Sequence, residues 1–120
     1  MKLIIAGTRT IDPDIAYAEC LKFRIRRLFP QTEVVSGCCP GVDLAGEAYA
    51  AFYDIPVKRF PPDWVRYGRA AGPIRNRAMA EYADALLLIW DGKSPGSANM
   101  RAEMQRLGKP VYEVLLNEAK

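Results

Sequence analysis

The chain reads as an α/β protein: a single Rossmann-like three-layer sandwich, with a five-stranded parallel sheet of order 3-2-1-4-5 flanked by helices. Three observations predict it. Short apolar or β-branched runs alternate along the chain with segments of helical spacing, the pattern of an α/β sandwich. The run "ALLLIW" at Ala85–Trp90 is apolar throughout, as expected of a central strand covered on both faces. No linker, repeat or low-complexity stretch divides the 120 residues, so 1–120 is expected to form one domain, long enough to bury a core.

Each element has a local cause. Residues 2–6 form an apolar strand ended by Gly7. Asp12-Pro13 supplies a helix cap and a first-turn proline, after which Ile15, Ala18, Leu21, Ile25 and Leu28 recur at helical spacing until Pro30. Glu33–Ser36 is the second strand, stopped by Gly37, and 41–53 the second helix. Residues 56–60 form the third strand, closed by Pro61-Pro62. Residues 63–71 read as irregular, rich in aromatic and basic side chains. Gly72-Pro73 opens a third helix to Tyr82, and the strand Ala85–Trp90 follows. A fourth helix begins at Ser94 or Gly96 and ends at Gly108, and Val111–Leu115 closes the sheet. Right-handed crossovers leave few topologies, and in the expected order the switch point lies between the first and fourth strands.

Composition narrows the function. Half the residues are hydrophobic and 26% are charged, as in an ordinary globular protein. The longest apolar run is too short to span a bilayer, and the N-terminus carries no leader pattern, so a cytoplasmic protein without membrane partners is expected. Three cysteines, two of them adjacent, suit a reducing compartment. Histidine is absent, which removes the commonest general base and excludes Ser-His or Cys-His catalysis within one chain. No metal site and no cofactor are expected. The net charge of +3 mildly favours anionic ligands without implying nucleic acid.

In such sheets ligands sit beyond the carboxyl ends of the strands at the switch point. The loops gathered there are "GTRT", "SGCCPGVD" and "WDGKSPGS", each with glycine beside a hydroxyl or charged side chain. A glycine-rich link from strand to helix lets backbone N–H groups approach an anion, and the helix N-terminus adds partial positive charge. None of the three is a Walker loop, and "GTRTID" lacks the spaced glycines of a dinucleotide fingerprint.

These loops, the run "FPPDWVRYGRAAGPIRNRAMAEYADALLLIWDGKSPGSANM" and the final "GKPVYEV" together resemble the YspA/YpsA-related branch of the SLOG superfamily. That superfamily also holds the DNA-processing protein DprA and the LOG-type phosphoribohydrolases. The resemblance spans nearly the whole chain and is most specific in "W..YG..AGP.RN..M". It implies a Rossmann-like fold that binds a nucleotide or nucleotide-derived ligand. The matching positions are Gly7, Thr8 and Arg9; Ser36, Gly37, Gly41 and Asp43; Arg75, Asn76 and Met79; and Trp90, Asp91, Gly92, Ser94, Gly96 and Ser97. Cys38-Cys39-Pro40 departs from the small and basic residues usual there, and Ser97 replaces a threonine. Met100 stands where the LOG enzymes carry their catalytic glutamate, which argues against hydrolysis by that route.

Several of these residues admit a plainer role. Arg9 either clamps a phosphate or pairs with Asp12. Asp43 either meets the helix dipole or accepts a ribose hydroxyl. Arg75, Asn76 and Met79 either pack against and read a base or form a solvated helix face. Trp64 and Tyr67 either stack on a base or cover the sheet edge. Trp90 belongs partly to the core. Asp91 ends the central strand, and Lys93 beyond it is placed to neutralise a phosphate. The pair Cys38-Cys39 reads as small turn residues, reactive only if the helix end lowers a thiol pKa. Lys22, Arg24, Arg26 and Arg27 read as a solvated helix end.

The expected function is therefore binding or sensing of a nucleotide-derived small molecule. The enzymatic alternative is N-glycosidic hydrolysis with Asp91 or Asp43 as acid or base. The remaining alternative is DprA-like binding of single-stranded nucleic acid. Self-association through Trp64, Tyr67, Tyr82 or Met104 is also expected.

Overall fold

The structure, a computed structural model, describes residues 1–27 and 33–116, with the side chains of residues 24–27 excepted. The predicted positions of Leu28 and Pro30, and the side chains of Arg24, Arg26 and Arg27, lie outside the described residues. The strands are β1 (Lys2–Gly7), β2 (Glu33–Ser36), β3 (Val57–Arg59), β4 (Ala85–Trp90) and β5 (Val111–Leu115). They form one sheet of order β3-β2-β1-β4-β5, parallel throughout, as the alternation of elements predicts. β1 is central, with Leu3 paired to both Val34 and Ala85, and Gly7 paired to Ile89.

Alternation along the strands divides the core into two layers. Leu3, Ile5, Leu87 and Ile89 pack with α1 (Pro13–Arg27) and α2 (Val42–Phe52) through Ala16, Cys20, Phe23, Ala45 and Tyr49. Ile4, Ala6, Leu86, Leu88 and Trp90 pack with α4 (Ala71–Tyr82) and α5 (Pro95–Arg106) through Met79, Ala80, Met100 and Met104. Each large side chain so buried contributes roughly 1.5–3 kcal/mol. β4 is buried at every residue, while the short edge strand β3 exposes Lys58 and Arg59, which discourages pairing with a second sheet.

Four features differ from the sequence reading. The buried face of α1 is Ala16, Cys20 and Phe23, not the stripe through Ile15, which is 52% exposed, and Ala18. Two of its three residues are small, and the face packs in one cluster with Ala45 and Tyr49 of α2. The stretch after Pro62 is helical, with α3 (Trp64–Tyr67) capped by Asp63, whose carboxylate accepts Arg66 N–H at 3.1 Å, and a 3₁₀ turn running directly into α4. Pro73 therefore falls at the third position of α4, where the missing N–H still costs no intrahelical bond. Met104 is fully buried and cannot join a surface patch.

α4 ends without a glycine. Lys109 Nζ donates instead to the carbonyls of Ala80 (2.7 Å), Glu81 (3.1 Å) and Ala83 (2.7 Å), so a cation satisfies the helix's orphan acceptors. Among the described residues no helix is long and apolar enough to cross a membrane.

Candidate functional site

The parallel strands β1 and β4 end side by side, and their loops open onto a cleft of ≈ 440 Å³, within the range of small-molecule sites. Of the residues singled out from sequence, Gly7, Thr8, Arg9, Asp43, Arg75, Asn76, Met79, Asp91, Ser94, Gly96 and Ser97 line it. Ser36, Gly37, Gly41, Trp90, Gly92 and Lys93 do not. Thr10, Cys39, Pro95 and Met100 join the lining beyond the expected set.

Backbone closeness builds the floor. Thr8 N–H donates to the Ile89 carbonyl at 3.2 Å, and a Cβ on Gly7 would stand 1.7 Å from that same oxygen. Gly41 adopts φ 79°, and a Cβ there would meet the Arg9 carbonyl at 2.6 Å. The start of α2 thus rests directly on the loop after β1, an approach that only glycine permits.

One wall is the loop from β4 into α5. Asp91 Oδ1 accepts the N–H groups of Lys93 and Ser94, each at 2.9 Å, and the Thr8 hydroxyl at 3.3 Å. The Thr8 hydroxyl also lies 2.9 Å from Ser94 Oγ and accepts Asp91 N–H at 3.2 Å. Those loop amides, Lys93 first and then Ser94, hold the Asp91 carboxyl below its ordinary range. Asp91 is therefore an ionised brace for the loop. Pro95 opens α5, leaving Gly96 and Ser97 to present the first N–H groups of the helix. A Cβ on Gly96 would meet nothing within 4 Å, so the fold itself has no need of glycine there.

The opposite wall joins α2 and α4. Asp43 is only 4% exposed, and its Oδ2 accepts Cys39 N–H at 3.3 Å. Burial pushes its carboxyl up to about 6, against the opposing pull of the Cys39 and Gly7 N–H groups and the Arg75 charge. Arg75 is tethered. Its Nε–H donates to Asn76 Oδ1 at 2.9 Å, Nη1 to the carbonyls of Gly37 and, at 3.5 Å, Phe60, and Nη2 lies 3.9 Å from Cys39 Sγ. The guanidinium thus clamps the ends of β2 and β3 rather than lying free to stack. Asn76 is spent likewise, donating to the Gly96 carbonyl (3.3 Å) and Asn99 Oδ1 (2.8 Å). Met79 and Met100, both buried, close the apolar end.

The other sequence candidates have structural partners. Ser36 is fully buried and donates to Glu47 Oε2 at 2.6 Å, and Arg59 pairs with the same carboxylate at 3.0 Å. Glu47 was not singled out from sequence, although its place one turn after Asp43 on α2 puts both on one face. Trp90 is core, with its indole N–H on Glu113 Oε2 at 2.6 Å and Arg101 over its ring at 5.0 Å. Cys38 holds an unusual φ of 67°, and burial, aided by Glu47, raises its thiol pKa, the reverse of activation. Arg9 makes no ion pair with any described residue, while Asp12 accepts Asp14 N–H at 2.8 Å. Lys93 is exposed beside the mouth.

No protein-family model matches the chain, and no curated protein matches it. By fold it is similar to the X-ray structure of DNA processing protein A (DprA) from Streptococcus pneumoniae, with a TM-score of 0.74 at 17% identity over 99% of this chain. The match covers 52% of that protein, so the present chain spans about half its length, and the likeness is one of fold.

Proposed function

We propose that the cleft binds a phosphorylated nucleoside, with the phosphate on the N–H groups of Gly96 and Ser97 and the charge of Arg9, and the base toward Met79 and Met100. The observation that carries this reading is one ≈ 440 Å³ cleft in which a helix N-terminus, an arginine with no ion pair among the described residues and a buried carboxylate meet. The sequence motifs favour the YspA/YpsA-related branch of the SLOG superfamily and a cytoplasmic setting. Mass spectrometry of small molecules released from the denatured protein, with thermal-shift titration of nucleotides, tests it. Absence of any released nucleotide together with no shift across the panel removes it.

Gly96→Ala separates fold from ligand. With open space around the new methyl, it is expected to stabilise the free protein by about 0.4–1 kcal/mol. The nucleotide-induced rise in melting temperature is expected to shrink, because the methyl crowds the amides. An undiminished rise moves the phosphate elsewhere.

Turnover is disfavoured at the position of the LOG glutamate, since Met100 offers no proton. A hydrolytic role would fall to Asp43, and assay for free base across nucleoside monophosphates tests it. A second reading, single-stranded nucleic acid, is favoured by the fold likeness to a DNA processing protein and by exposed Trp64, Arg66, Tyr67 and Arg69. It predicts oligonucleotide affinity that falls steeply with salt. No binding of a labelled oligonucleotide at low salt excludes it. Exposed Trp64, Val65, Tyr67 and Ile74 also support self-association, read by light scattering.

A further inference from the structure

Resting on the nucleotide reading, we infer that Asp43 makes the cleft selective for ribonucleotides over deoxyribonucleotides, its carboxylate receiving a ribose hydroxyl while the phosphate lies toward α5. The two walls differ in which polar groups they leave open. At α5 stand donors, the first N–H groups of the helix, and the Asp91 carboxylate of that wall is already taken up by two amides and a hydroxyl. At α2 stands Asp43, buried, with oxygens that as a carboxylate can only accept.

Two N–H groups, from Cys39 and Gly7, reach that carboxylate, whose oxygens offer about four acceptor positions. Asp91, the other carboxylate of the lining, already takes two amides and a hydroxyl at Oδ1. Gly37 shows how Asp43 is held: a Cβ there would lie 2.7 Å from Arg75 Nη1 and 2.8 Å from Asp43 Oδ2. Arg75 thus stands beside the buried charge without forming an ion pair with it, and Glu47, one turn along α2, is held by Ser36 and Arg59. A hydroxyl donor at this wall finds acceptor positions on Asp43 that the two N–H groups leave open. A nucleotide laid across the cleft satisfies both walls only if its sugar keeps its hydroxyls. The deoxy sugar leaves the carboxylate short of a donor.

The test is titration of the wild-type protein with ribonucleoside 5′-monophosphates and their 2′-deoxy and 3′-deoxy counterparts, repeated with Asp43→Asn. The ribo series is expected to bind at least about tenfold more tightly than one or both deoxy series, as for hydrogen bonds to charged groups. In Asp43→Asn the ribo preference is expected to shrink severalfold, because an amide oxygen accepts less strongly than a carboxylate. Equal affinity for all three series in the wild-type protein overturns the inference while leaving nucleotide binding intact. A ribo preference undiminished in Asp43→Asn overturns the assignment to this residue. No binding by any series removes the nucleotide reading and the inference together. The wild-type comparison stands by itself should the variant fail to fold.

Discussion

Gly7→Ala is expected to leave little or no folded protein. The added Cβ would sit 1.7 Å from the Ile89 carbonyl oxygen, at the end of the central β1–β4 pair. Backbone is the obstacle, so no side-chain rotation relieves it. The strands must part, losing the Thr8 N–H bond to Ile89 and uncovering core on both faces of the sheet. Losses of this kind belong to the rare class above about 4 kcal/mol, set against a total stability of about 5–15 kcal/mol. Urea denaturation followed by circular dichroism checks it. A midpoint within experimental error of the wild type would mean that β1 and β4 are not joined as described.

The second large effect is a pH dependence carried by Asp43. Its carboxyl titrates near 3.8 when unfolded and about 6 when folded. The folded state therefore binds the proton more tightly, and stability from this group is fully present below pH 3.8 and lost as pH rises through about 6. The shift corresponds to roughly 3 kcal/mol. Asp91 works with the opposite sign, because its depressed carboxyl costs stability only as pH falls through its folded value. Urea midpoints between pH 4.5 and 7.5 are expected to fall in the wild-type protein relative to Asp43→Asn, with the gap widening toward neutral pH. Parallel profiles would show that Asp43 is not buried as a charge.

Much of the architecture was legible because apolar runs report strands directly. All five strands followed from alternation, and crossover handedness left few topologies, of which the expected order 3-2-1-4-5 is the one the sheet has. The face of α1 did not, since Ala16 and Cys20 are weak hydrophobic signals beside Ile15, which nonetheless points to solvent. α3 was invisible because a four-residue helix has no period to detect. At the site, residue types predicted placement better than tasks. Arg75 and Asn76 do line the cleft, yet their polar groups go to backbone and neighbouring side chains, and nothing in a linear sequence distinguishes a clamp from a ligand contact. Glu47 escaped notice because its partners, Ser36 and Arg59, are eleven and twelve positions away on two different strands.

The Asn76 amide has a mechanical meaning. One side of it holds the Arg75 guanidinium, which grips β2 and the end of β3; the other holds the first turns of α5. It works as a strut between the two jaws of the cleft, and spreading them would strand a buried amide without partners. The two walls are thus tied at a fixed separation. The exposed Arg9 side chain makes no ion pair with any described residue, so its reorientation, a motion of picoseconds to nanoseconds, needs no rearrangement of these walls.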